Sequence, residues 1–179
     1  MRRPHVLDRR ALLALGLLAP ALRATAAGAS LYGLGLRFVD DRGALRELAE
    51  WRGRPVVITM AYGACRSLCS TTLRTLEELQ VLADRRAASL DIVVASLDPA
   101  EDTPADWAAF RRARHLDRAN WTFLSGTPDA TRALGRFLGI RSWNYDEHVM
   151  HDFKLLRLDP AGAIAASLDW HQSELERLL

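Results

Sequence analysis

Residues 54–73 read RPVVITMAYGACRSLCSTTL. The run Arg54 to Met60 holds the β-branched stretch Val56-Val57-Ile58-Thr59 and reads as a buried strand. It leads at once into the chain's two cysteines, Cys65 and Cys69. From Ser70 the apolar positions Leu73, Leu76, Leu79 and Val81-Leu82 recur at helical spacing, and Ser70, Thr71 and Thr72 offer capping oxygens. A strand running straight into a helix therefore puts both thiols at or near the first helical turn. On a helix, positions i and i+4 share a face with Cβ atoms about 5 to 6 Å apart, so the two sulfurs can bind one ion or close into a disulfide. A thiolate is the working form in both chemistries, and a helix N-terminus with Arg66 adjacent favours it. The third reading, a structural staple, is weak: so small a loop gains roughly 2 kcal/mol from a bridge in the chain-entropy model. A chain of 179 residues can bury a full core without one.

Working outward, Leu36 to Val39 reads as a short strand and Asp40-Asp41-Arg42-Gly43 as a turn. Leu90 to Leu97 is a continuous apolar run bounded by Asp98-Pro99, as expected of a central strand. Thr103-Pro104-Ala105-Asp106 opens a helix carrying Trp107, Phe110 and Leu116. Asp98 and Asp102 are expected to shape the turn and cap that helix. Its basic run Arg111-Arg112-Ala113-Arg114-His115 is expected to be a solvated face. Trp121 to Leu124 is a further strand, and Thr127-Pro128 opens a helix bearing Leu134, Phe137 and Leu138 that ends near Gly139. A loop from Arg141 to Asp152 leads to a strand from Phe153 to Leu158, a turn at Asp159-Pro160-Ala161-Gly162, a strand from Ala163 to Leu168 and a closing helix near Glu174. Strands alternating with helices and ending in a hairpin predict an α/β, thioredoxin-like fold: a central mixed sheet flanked by helices.

The N-terminal segment MRRPHVLDRRALLALGLLAPALRATAAGAS has arginines, an apolar run from Ala11 to Leu22 and the small residues Ala24-Thr25-Ala26. That is the layout of an export signal over residues 1–26, with cleavage after Ala26 or retention as an anchor as its two fates. Residues 27–179 then form one domain. Losing the segment removes five of the 24 basic residues (Arg2, Arg3, Arg9, Arg10, Arg23) and one of the 22 acidic ones (Asp8), leaving 19 bases against 21 acids. The apparent basicity is mostly address label, and nucleic-acid binding loses its support.

Two thiolates leave a metal's coordination shell incomplete and call for an imidazole. Of the five histidines, His5 leaves with the signal, and His115 and His171 read as solvent-facing. His148 and His151 share the loop before a late strand, beside the turn expected to hold the cysteines, and either can complete a site. Met60 and Met150 are simpler as packing. Trp143 and Tyr145 are read as a docking surface beside that loop or as cover for the core edge.

At these residues the chain resembles the Sco/SenC family, thioredoxin-fold copper chaperones for cytochrome c oxidase assembly. Its pattern Cys-Pro-x-x-Cys-Pro-Thr-Thr-Leu is similar to Cys65 through Leu73. Its Ser-Val-Asp-Pro-x-x-Asp-Thr-Pro resembles Ser96 through Pro104, and its Thr-Gly-(Ser/Thr)-Pro resembles Ser125 through Pro128. The family's ligand histidine stands eight residues before a late Asp-Pro-x-Gly turn; counting back from Asp159 selects His151. The resemblance thus implies copper held by Cys65, Cys69 and His151. It also implies a periplasmic or otherwise exported place and, as partner, a copper-accepting subunit of cytochrome c oxidase or another copper chaperone. The N-terminal segment offers a means of membrane association. Arg66 and Ser70 replace the family's two prolines, and Ser67 stands where an acid is often found. A cationic Arg66 favours thiolate but opposes a second positive charge, which lowers the expected copper(II) affinity.

Two functions follow from this chemistry. The first is a non-enzymatic metallochaperone. The second is a thiol-disulfide reductase that keeps a partner's cysteines reduced, with Cys65 and Cys69 as its catalytic redox pair. Three residues between the cysteines, and the lack of a proline from Tyr145 to Phe153, favour the metal. A peroxide-handling relative has the early cysteine alone in its favour.

Overall fold

The computed structural model describes residues 29–63, 68–146, 148–171 and 174–179. The expected export segment, residues 1–26, lies outside them. A 3₁₀ turn at Leu31–Leu34 precedes β1 (Arg37–Asp40), β2 (Leu45–Glu47) and a second 3₁₀ turn at Leu48–Trp51. Then follow β3 (Val56–Ala61), α1 (Leu68–Arg85), β4 (Asp91–Ser96), α2 (Pro104–Ala113), β5 (Trp121–Gly126) and α3 (Pro128–Leu138). The chain continues through β6 (Ser142–Tyr145), β7 (His148–His151), β8 (Lys154–Leu158), β9 (Ile164–Asp169) and a 3₁₀ turn at Leu175–Leu178.

Seven strands form one mixed sheet in the order β2-β1-β5-β4-β3-β8-β9. Its centre is parallel: β3 lies between β4 (parallel, Val57 beside Ile92) and β8 (antiparallel, Ile58 beside Leu156), and β4 also pairs in parallel with β5. Strands covered on both faces are apolar throughout, and all six residues of β3 are buried. The period of two then sorts the core into halves. Val57, Ile92, Val94, Trp121 and Phe123 face α1 and α2, meeting Leu73, Leu76, Leu79 and Trp107. Val56, Ile58, Met60, Val93, Ala95 and Leu124 face the other way, against Leu134 and Leu138 of α3 and against Tyr32, Phe38 and Trp51. Among the described residues, no helix is long and apolar enough to cross a membrane.

Several expectations are corrected here. The stretch from Arg141 to Asp152 is not a loop: β6 and β7 form a two-stranded antiparallel hairpin of their own, turning at Asp146 with φ 51°, a conformation aspartate tolerates. Helix α1 is described from Leu68, so Ser70 to Thr72 lie inside it rather than ahead of it. Val81 is exposed and Ala83 takes the buried place. Arg111 is not on a solvated face. It is buried, ion-paired to Asp41 at 2.6 Å, donates to the carbonyls of Leu116 and Arg118, and lies over the Phe123 ring. Leu116 is buried as expected, but beyond the end of α2. The closing helix is a 3₁₀ turn. The turn at Asp159 to Gly162 is present, and Gly162 is required twice over: its φ is +88°, and a Cβ there would come within 2.5 Å of Tyr32.

Candidate metal site

Strand β3 delivers the cysteine segment from the centre of the sheet. Its last residue, Ala61, is followed by Tyr62 and Gly63, and α1 opens at Leu68. Cys65 lies outside the described residues, and of Cys69 the backbone place is described, in the first turn of α1. That is the strand-to-helix junction expected from the sequence.

The imidazole side is built by β7, which ends at His151 two residues before β8 begins. Because β8 pairs with β3, and Thr59 Oγ1 donates to Lys154 O at 2.7 Å, the end of β7 is brought beside the end of β3. The contact is direct: the rings of Tyr62 and His151 meet edge to face, with centroids 6.1 Å apart and planes at 78°. Within the hairpin, Ser142 pairs with His151 and Tyr145 with His148. His151 is buried, 4% exposed. His115 and His171 are exposed, as expected.

The ring of His151 is fixed by one hydrogen bond. Nδ1 lies 2.9 Å from the backbone carbonyl of Asp152. A carbonyl can only accept, so the proton must sit on Nδ1, and Nε2 carries the lone pair. Nε2 is buried and has no hydrogen-bond partner among the described residues. Burial holds the imidazole pKa below its ordinary value, against the opposing pull of the Asp152 carbonyl and charge. An unpartnered buried polar atom costs on the order of 1–3 kcal/mol. A neutral imidazole with its second nitrogen anchored to a carbonyl is also the form that ligates a metal.

Asp152 is itself held. Arg141 grips its carboxylate with Nε at 2.9 Å and Nη2 at 3.0 Å, while the backbones of the two residues bond at 3.0 Å across the hairpin base. Trp143 and Tyr145 are 49% and 66% exposed, so they do not cover the core edge. Met60 is core, as expected.

Two contributors were not anticipated. Tyr62, buried beside His151, had no signal beyond an aromatic at a strand end. Asp102 does not cap α2: Thr103 does, in a capping box with Asp106. Asp102 instead accepts from Gly63 N at 2.8 Å and from Ser96 Oγ at 2.6 Å. Burial pushes its pKa up to about 6, those hydrogen bonds opposing. Asp98 does shape the turn, its carbonyl accepting from Glu101 N and Asp102 N.

Among the described residues, no cluster of three His, Cys, Asp or Glu side chains could hold a metal ion. A family model described as SCO1/SenC matches residues 24–178. The chain belongs to the SCO1/SenC family. No curated relative matches it by sequence. Solved SCO1/SenC structures share its fold. Yeast Sco1 with copper bound is 20% identical, with a TM-score of 0.69 over 83% of this chain and 85% of that one. A SCO1/SenC lipoprotein from Bacillus anthracis is 19% identical, with a TM-score of 0.69 over 74% of this chain and 81% of that one. BsSco, a member of the Sco family of cytochrome c oxidase assembly proteins in which a disulfide switch is identified, is 18% identical, with a TM-score of 0.66 over 74% and 80%. At these identities the likeness establishes the thioredoxin-like fold.

Proposed function

We propose that this SCO1/SenC protein is an exported copper carrier in which the thiolates of Cys65 and Cys69 and Nε2 of His151 hold copper as cargo. They pass it by ligand exchange to a copper-accepting subunit of cytochrome c oxidase or to another copper chaperone. The observation that carries this reading is the imidazole: proton fixed on Nδ1, lone pair on a buried Nε2 that has no partner among the described residues. Its neighbour Tyr62 stands three residues from Cys65, a reach of at most about 10 Å of chain. Soft thiolates with one imidazole suit copper(I). The copper bound by yeast Sco1 and the assembly role of BsSco's family support the same reading. Residues 1–26 are proposed as the export signal, cleaved or kept as an anchor; the lipoprotein relative supports an exported place.

The test is a copper(I) titration of the reduced protein against a chromophoric chelator. One copper per chain is expected, lost when both cysteines become serine and weakened in His151→Ala. Uptake unaffected by loss of both thiols overturns the proposal. The second reading, a thiol-disulfide reductase acting on a partner's cysteines, draws support from the dithiol and from BsSco's disulfide switch. It is separated by turnover on a disulfide substrate: substantial turnover in His151→Ala favours the reductase, and negligible turnover leaves the carrier.

A further inference from the structure

Met60 is the penultimate residue of β3, and Leu97 follows the last residue of β4, so both stand at the carboxyl ends of parallel strands. With Ile140, just past α3, they line a hollow of about 340 Å³ beside that helix. Met60 and Ile140 belong to the half of the core that faces α3, whereas Tyr62, which meets His151, belongs to the half that faces α1. The hollow therefore lies on the opposite face of the sheet from Tyr62. In open α/β sheets, ligands settle in the crevice beyond the carboxyl ends of the strands. Small-molecule sites run from about 300 to 1,000 Å³, mostly apolar with a few polar groups, and this hollow falls at the lower end of that range.

Its polar groups decide what kind of ligand suits it. Arg132 and Arg136 stand four residues apart on α3, so they share a face, and both line the hollow. The Arg136 guanidinium has no ion pair or hydrogen bond among the described residues. Arg132 pairs with Asp129, whose side chain is 91% exposed, so solvent screens that pair and Arg132 can turn to another anion at little cost. Among the described residues no acid lines the hollow. Thr131, 7% exposed, lines it as well, and its Oγ1 has no hydrogen-bond partner among the described residues. A guanidinium presents a planar fork of donors that matches a carboxylate with two parallel bonds. The apolar floor asks for more than a bare ion: an inorganic anion would leave Met60, Leu97 and Ile140 uncovered.

We propose that this hollow is a binding site for a small organic carboxylate, its apolar body against Met60, Leu97 and Ile140 and its charge on Arg132 and Arg136. The site is independent of copper and of the cysteines.

The test is a titration of the isotope-labelled protein with phenylacetate, followed by amide NMR shifts. Saturable shifts are expected at Thr131, Gly135, Ile140 and Ser142, all of which line the hollow. The Kd should be on the order of 1 mM, as suits so small a ligand. Phenylethanol keeps the ring and loses the charge, and acetate keeps the charge and loses the ring. Each should bind at least roughly tenfold more weakly, the scale of one charge-assisted hydrogen bond or of a lost apolar body. Replacing both arginines, Arg132→Gln with Arg136→Gln, should weaken phenylacetate by roughly tenfold or more. Both side chains are exposed, so that variant should keep the wild-type urea midpoint, and its copper(I) uptake should match the wild type. Shifts that do not saturate, phenylethanol or acetate binding as tightly as phenylacetate, or an affinity unchanged in the double variant would overturn the proposal.

Discussion

His151 meets Tyr62 and Asp102 meets Gly63, the residues just ahead of the cysteine segment, one from the β6–β7 hairpin and one from the turn after β4. Both are 4% exposed, and burial shifts both toward their neutral forms. They differ in what meets their polar atoms. Asp102 is satisfied on both oxygens by donors from this chain. His151 is satisfied on one nitrogen and, among the described residues, left bare on the other. The buried pair Arg111–Asp41 belongs with Asp102, since Arg111 spends its donors on Asp41, Leu116 and Arg118. A buried group satisfied within the chain holds the fold; an unsatisfied one, and among the described residues Trp107 Nε1, Thr131 Oγ1 and Arg157 Nε are others, calls for an explanation, which for His151 the proposed ligand supplies.

That contrast can be broken by substitution. The largest effect should come from a satisfied group: Arg111→Ala strands the Asp41 charge and should cost about 3–5 kcal/mol in denaturant unfolding, with copper affinity per folded molecule unchanged. The reverse pattern is expected at His151. His151→Leu removes an unpaired nitrogen and should leave apoprotein stability within about 1 kcal/mol of wild type. It should weaken copper(I) binding by at least about tenfold, the scale on which even outer-shell partners of a metal act. A His151→Leu protein that unfolds easily and still binds copper tightly would erase the distinction.

Acidity sharpens the comparison further, because the two groups bend stability in opposite senses. Folded His151 holds its proton less tightly than the unfolded chain, whose ring titrates near 6.5. As pH falls below that value the unfolded state binds more protons, and stability is lost. Folded Asp102 keeps its proton up to about 6, against an ordinary 3.8, so between those values stability is gained as pH falls. Urea midpoints from pH 7 to pH 4 should therefore fall more steeply in Asp102→Asn than in the wild type. In His151→Leu they should fall less steeply or rise. The smallest effect belongs to the outer face of the hairpin: replacing Trp143 and Tyr145 together by serine should change stability by under about 0.5 kcal/mol per residue, read from the same unfolding curves.

Much of the fold was legible because its signals are local and strong. The apolar runs at β3 and β4, Pro104 and Pro128 at helix starts, and Gly139 in the left-handed region ending α3 each announce an element within a few residues. The hairpin was not legible. Its strands are four residues long, and Ser142 to Tyr145 are all exposed, so neither hydrophobic alternation nor length marks them. The short β2, exposed at Leu45 and Glu47, was missed for the same reason. Arg111 misled because a run of bases looks solvated until Asp41, seventy residues earlier, is folded against it. At the site, the family resemblance selected His151 over His148, and His151 lies buried at the end of β7. The tautomer and the bare Nε2 depend on a neighbour's backbone carbonyl, which no side-chain pattern encodes.

The central claim is that sulfur from the strand-to-helix junction and Nε2 of His151 close on one ion. Copper K-edge X-ray absorption of the reduced protein loaded with one copper(I) tests it most directly. The account expects two sulfur scatterers and one imidazole in wild type, with the imidazole scattering gone in His151→Ala and retained in His148→Ala. A sulfur-only shell in the wild type, or an imidazole that disappears with His148 instead, would contradict it.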